Sequence, residues 1–283
     1  MKYYHFCTEG LRKGIIFRDE EDFIVGMNYV AITAKECGLV ILAFCLMSNH
    51  WHFIVRGNTI DIERFNTLLK SRISMWLHRK YSLSHFLKGQ ELTIKEIDSL
   101  DYLRKVIGYV LRNPIVAGIN CTVESYRWGS GKCYFHENHP HDKQVISDRS
   151  KGILCKTNSS AIKSYGLDRY GMITPDQYVD KEAVTDIFRT AKAFIYNVMS
   201  FKSFDMDLEL ENGLAQKIAI EDSKLIKIVE SLCSRDFKVR SVDLLPTRDK
   251  CIVAVKLRKD YGASSKQISR ILGLDQDVIE LLR

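Results

Sequence analysis

Apolar and polar positions along the first hundred residues change period several times, and each change marks an element. "KYYHFCTEG" at the start reads as a first strand. "DEEDFIVGMNYVAITAKECG" opens on acidic residues and closes on Gly38, the start and stop signals of a helix. "LVILAFCLM" is a continuous apolar run of strand length, as in a buried central strand. After the short turn Ser48–Asn49, "HWHFIV" alternates, so these two strands form a hairpin. Residues 60 to 81 return to a helical period, with Phe65, Leu68, Leu69, Ile73, Trp76 and Leu77 on one side. Residues 98 to 113 form another helix, closed by Pro114. The order β-α-β-β-α predicts an α+β fold, a ferredoxin-like or RRM-like sheet with helices packed on one face.

From about residue 137 the texture is polar, which reads as a linker or irregular connection over 137–175. A mostly helical C-terminal domain is expected over 176–283. Within it, "YGASSKQISRILGLDQDVIELLR" reads helix, glycine-containing turn, helix, with Ile268, Ile271 and Leu272 inward and Ser264 and Ser265 at the cap. The stretch from about 247 to 283 thus has the pattern of a helix-turn-helix, which would place Lys266 and Arg270 near double-stranded DNA. A plain helical packing domain has the same pattern.

Composition bounds the partners. With 46% hydrophobic and 27% charged residues the 283-residue chain is globular in character. No apolar run is long enough for a membrane span, and "MKYYHFCTEG" lacks the apolar core of a signal peptide. Eight cysteines without a Cys-x-x-Cys pair point to reduced thiols and a cytoplasmic location. The formal net charge of +7 permits a nucleic-acid partner without requiring one.

Two places carry candidate chemistry. His50 and His52 share one strand face, while Trp51, Phe53 and Val55 share the other. The apolar set can enter a core while both imidazoles point to one ligand, although a His-x-His pair also arises by chance in a chain with eight histidines. In "SLDYLRKVIGYVLRNPIVAG", Tyr109 and Asn113 stack one helical turn apart, opposite the apolar stripe. They offer a nucleophile and a third ligand, or else a boundary tyrosine and a helix-capping asparagine. A third cluster, Cys133, His136, His139 and His141, lacks the second cysteine pair that would close a tetrahedral zinc set.

Several segments together resemble one family. "LAFCLMSNHWHFIV" is similar to the His-hydrophobic-His motif of the single-tyrosine HUH transposases, in the branch of REP-associated tyrosine transposases. "YVLRNPIVAG" resembles the segment carrying that family's tyrosine, "YRWGSGKCY" the segment that follows it, and "YYHFCTEGL" the family's opening. The resemblance spans residues 3 to about 136, so residues 1–136 are expected to form the transposase domain. It implies that His50, His52 and Asn113 bind a divalent metal, magnesium or manganese. It further implies that Tyr109 attacks a phosphodiester of single-stranded hairpin DNA, such as a repetitive extragenic palindrome, leaving a 5′-phosphotyrosine and a 3′-hydroxyl. A phenol with a pKa near ~10 needs help to act at neutral pH, and a metal on the phosphate supplies part of it.

Lys70, Arg72, Arg79, Lys105 and Arg112 lie on or beside the two later helices, where they would meet phosphates or simply form solvated faces. Trp76 sits in the apolar stripe and is expected in the core. Residues 82–98 retain little of the family's usual pattern, which removes the basis for carrying DNA contacts onto them. Two other classes compete with the transposase: a nucleic-acid-binding protein on the same fold, and a hydrolytic metallonuclease in which water attacks. The repeat-associated branch points to a monomer rather than a dimer.

Overall fold

In the computed structural model, which describes residues 2–8, 14–117, 119, 121–135, 146–200 and 220–282, the predicted period changes become elements. They are β1 (Lys2–Thr8), α1 (Glu20–Cys37), β2 (Val40–Leu46), β3 (Trp51–Gly57), α2 (Thr59–Tyr81), β4 (Leu92–Ile97) and α3 (Leu100–Val116). Local chemistry sets the helix ends. The side chains of Asp19, Asn58 and Ser99 each accept a backbone N–H of the first turn, and Gly38 takes the left-handed conformation that ends α1.

The strands form one antiparallel sheet in the order β2-β3-β1-β4. With the β-α-β-β-α-β connection this is the ferredoxin-like arrangement. Strand β4 falls in the stretch that carried no element in the sequence. Its "LTIKEI" runs along a sheet edge with most side chains in contact with solvent, so its apolar signal is thin.

Register decides which residues share a face. Phe6 and Phe44 both stack on Phe53, at ring distances of 5.0 and 5.5 Å. Phe65 of α2 meets both Phe6 and Phe53 edge-on, and Trp51 Nε1 donates to Asn66 Oδ1 of α2. This apolar face therefore carries α1 and α2, the expected helical layer. Cys7, His52 and Cys45 stand in register across three strands and point the other way. Helix α3 covers that second face and brings Tyr109 against His5 and His52. Helix α3 also continues past Pro114 to Val116, because proline removes only its own N–H. The carbonyls of Asn113 and Pro114 still accept from Ala117 and Ile119.

The remaining described chain has helices α4 (Asp148–Leu154), α5 (Lys181–Phe188), α6 (Ala191–Ser200), α7 (Asp222–Asp236), α8 (Thr247–Tyr261), α9 (Ser265–Leu272) and α10 (Gln276–Leu281). Cys155, Ile162, Tyr165, Leu167 and Ile173 pack on Ala31 and Ile32 of α1, so the polar connection is anchored on the first domain. Val184, Phe188, Phe194 and Val198 of α5 and α6 belong to the core of the sheet, whereas a second core begins at Leu225. The division between cores thus falls later than the change of composition near residue 175. Ser264 caps α9 in a reciprocal capping box with Gln267, and Ile268 and Leu272 are buried as expected. Of the cluster Cys133, His136, His139 and His141, the three histidines lie outside the described residues. Among the described residues no helix is long and apolar enough to cross a membrane.

Candidate active site and metal centre

The site lies on the sheet face covered by α3. The turn before β3 is pinned by the N–H groups of Ile16 and Phe17, which both donate to the Ser48 carbonyl. Met47 N–H donates to the His50 carbonyl, and Asn49 Oδ1 stands 2.9 Å from His50 Nδ1. Those bonds orient His50 at the mouth of β3. His52, two residues on, presents its ring to the same face, 4.9 Å from that of His50. Helix α3 sets the Tyr109 ring 5.4 Å from His52 and 6.0 Å from His5, both edge-on. Asn113, one turn along α3, stands near enough to His50 to oppose the fall in its pKa. His50, His52, Tyr109 and Asn113, predicted together, are together, and all four are buried.

All three imidazoles are neutral in ordinary buffers. Burial, then the charge of Lys95, lowers His5 from 6.5 to about 4. Burial, then Arg270, lowers His50 to about 4, with Asn113 and Asp222 opposing. His52 falls well below its ordinary value through burial and its two histidine neighbours. A neutral imidazole keeps the lone pair a metal needs. His50 Nε2 and His52 Nε2 are buried nitrogens without a hydrogen-bond partner, which is costly unless something else meets them. These two nitrogens fit a divalent cation.

His5 and Cys7, which none of the motifs marks, stand beside His52. His5 Nε2 lies 3.2 Å from His52 Nδ1, and donor atoms of His5, Cys7 and His52 all lie within 4.8 Å of one another. The signal was present: His5-x-Cys7 has the same period of two as His50-x-His52.

The cationic residues divide. Lys70 donates to the Gln90 carbonyl, and Arg72 spans Thr33 and both carboxylate oxygens of Glu36. These are bonds from α2 to its neighbours, on the sheet face opposite the site. Arg79 is exposed, Lys105 and Lys266 half-buried. Arg112 is buried and donates to the carbonyls of Asn197 and Val198, in the last turns of α6. Arg270 is held by Asp222, which also accepts from Gln267 and, at 2.6 Å, from Ser48 Oγ. The C-terminal helices thereby dock beside the His50 turn. Trp76 is buried as expected, its Nε1 donating to Asp22.

Comparison with known proteins follows the same residues. The family described as "Transposase IS200 like" matches residues 2–92, which hold β1 through the start of β4 and both His50 and His52. Over residues 2–92 the chain is similar to IS200-like transposases. The resemblance read from the motifs is borne out. The IS200-like match ends before Tyr109 and Asn113. A solved structure titled as a REP-associated tyrosine transposase bound to a REP hairpin has a TM-score of 0.38 and 12% identity, covering 52% of this chain and 93% of that one. No curated protein matches the chain.

Proposed function

We propose that the protein cleaves and rejoins single-stranded DNA by tyrosine transesterification, with Tyr109 as nucleophile. One observation carries this reading: a buried phenol on α3 packs against His52, and two buried imidazole nitrogens beside it have no hydrogen-bond partner. Such a constellation costs stability, which a protein retains where chemistry requires it.

Tyr109 Oη attacks phosphorus and loses its proton; the bond between phosphorus and the 3′-oxygen breaks, and that oxygen leaves as a hydroxyl. The product is a 5′-phosphotyrosine, and attack by another 3′-hydroxyl reverses it, so joining needs no outside energy source. His50, His52 and the Asn113 carboxamide would hold a magnesium or manganese ion, which would supply Lewis-acid stabilisation of the charge growing on the phosphate oxygens. Asn49 orients the His50 ring through Nδ1, and His5 does so for His52. Because Tyr109 is fully buried, DNA reaches it only after the covering elements move. Hairpin DNA of the repetitive palindromic kind, with an unpaired segment at the reacting bond, is the expected substrate. To its phosphates we assign Arg79, exposed on α2, and Lys266, and to a duplex contact the helices 247–281.

The test is a denaturing gel of labelled single-stranded hairpin DNA, taken from the flanks of the protein's own gene, incubated with manganese. A slow-migrating covalent adduct that requires His50 and Tyr109 is expected. Cut DNA without adduct, persisting in Tyr109→Phe, identifies a hydrolase. Binding with neither product identifies a binding module.

A further inference from the structure

His52 has two ring nitrogens, and each faces a different set of donors. Nε2 is the partnerless atom assigned above to the His50 and Asn113 set. Nδ1 faces His5 Nε2 at 3.2 Å, with Cys7 Sγ in the same cluster. Strand geometry makes this second set rigid: His5 and Cys7 are two apart on β1, and Cys7 is directly opposite His52 on β3. Two nitrogens bound tetrahedrally to zinc at ~2.0–2.1 Å stand roughly 3.3 Å apart. The His5 and His52 nitrogens are therefore already at ligand spacing.

We propose that His5 Nε2, Cys7 Sγ and His52 Nδ1 form a second cation site, for a thiophilic divalent ion such as zinc, and that its occupation excludes an ion from His50, His52 and Asn113. Two imidazoles and a thiolate are soft and borderline donors that select zinc over magnesium. Lys95 is the charge opposing a cation there, and the thiolate supplies the compensating negative charge.

The exclusion follows from counting protons. A neutral imidazole has one lone pair in the ring plane. When His52 Nδ1–H donates to His5 Nε2, the lone pair of His52 is on Nε2, toward His50. When zinc takes His5 Nε2 and His52 Nδ1, the ring protons sit on His5 Nδ1 and His52 Nε2, and Cys7 releases its proton to solvent. His52 Nε2 then carries hydrogen and cannot ligate. Zinc is thus an inhibitor acting through the tautomer of one shared histidine. The exclusion rests on the reading of the first site as a metal centre; the second site does not.

Cobalt(II) titration of the chelator-stripped full chain tests the second site. A thiolate-to-cobalt charge-transfer band saturating at one equivalent is expected. It should be lost in Cys7→Ser, displaced by zinc and retained in His50→Ala. His5→Gln, a milder change with folding checked by circular dichroism, should weaken cobalt binding ~10–100-fold. Absence of the band, or its persistence in Cys7→Ser, overturns the site. Manganese binding followed by electron paramagnetic resonance tests the exclusion, with one bound manganese expected to be released per zinc. Manganese and zinc bound together overturn the exclusion. Failure of manganese to bind the wild type at all overturns the first site and the exclusion, while the cobalt band still decides the second.

Discussion

Lowering the pH from about 8 to about 5 should destabilise the N-terminal domain markedly, because its buried imidazoles resist protonation. His5 and His50 fall from 6.5 to about 4 on folding. Above pH 6.5 both are neutral in either state and the full stability is present. As pH falls below 6.5 the unfolded chain takes up protons that the folded chain refuses, and stability drops until the folded rings also titrate near 4. At about pH 5 the loss is ~2 kcal/mol per ring, or ~4 kcal/mol for the pair. His52 adds in the same direction. Against a typical domain stability of about 5–15 kcal/mol this is a large fraction. The three tryptophans, Trp51, Trp76 and Trp128, all precede residue 129, so their fluorescence during denaturant unfolding reports this domain. In chelator, the midpoint should fall steeply between pH 7 and 5, and His50→Gln should flatten the fall. A midpoint unchanged over that range would refute the assignment of these rings as neutral and buried.

Other perturbations separate structural from functional charge. Asp222→Ala strands the buried Arg270 and frees Ser48, so thermal unfolding should show a loss of about 3–5 kcal/mol; replacing Arg270 by leucine in the same chain should recover part of it. Arg72→Ala cuts the link between α2 and Glu36 and should lower the melting temperature while leaving the salt dependence of DNA binding as it was. Arg79→Ala, at an exposed position, should leave melting alone and reduce the slope of log affinity against log salt by about 1. Trp76→Phe keeps an aromatic ring in the core but shrinks it and removes the donor to Asp22, at a cost of about 1–3 kcal/mol in denaturant unfolding.

The elements with strong periodicity were legible because burial writes directly into composition. The apolar run of β2, the alternation of β3 and the stripe of α2 each match the layer they pack into. The pairing of Tyr109 and Asn113 was legible because four residues make one turn, and the resemblance supplied their distance from the histidines. Strand β4 was not, since an edge strand with charged side chains looks like a loop. The burial of Arg112 was hidden for a related reason. An arginine among polar neighbours reads as a surface cation, but α6 arrives from more than eighty residues away to cover it. Asp222 was equally silent, because its partner Ser48 is 174 positions distant. The period of two in His5-x-Cys7 was visible, but its nearness to His52 needed the sheet register, which places β1 beside β3.

The central claim is that Tyr109 forms the covalent bond to DNA. Trypsin cuts after Lys105 and Arg112, releasing a peptide, residues 106–112, that contains one tyrosine. Mass spectrometry of nuclease-trimmed, trypsin-digested reaction mixtures should find that peptide carrying a nucleotide on Tyr109. A nucleotide on another residue, or cleaved DNA with this peptide unmodified throughout the time course, contradicts the account.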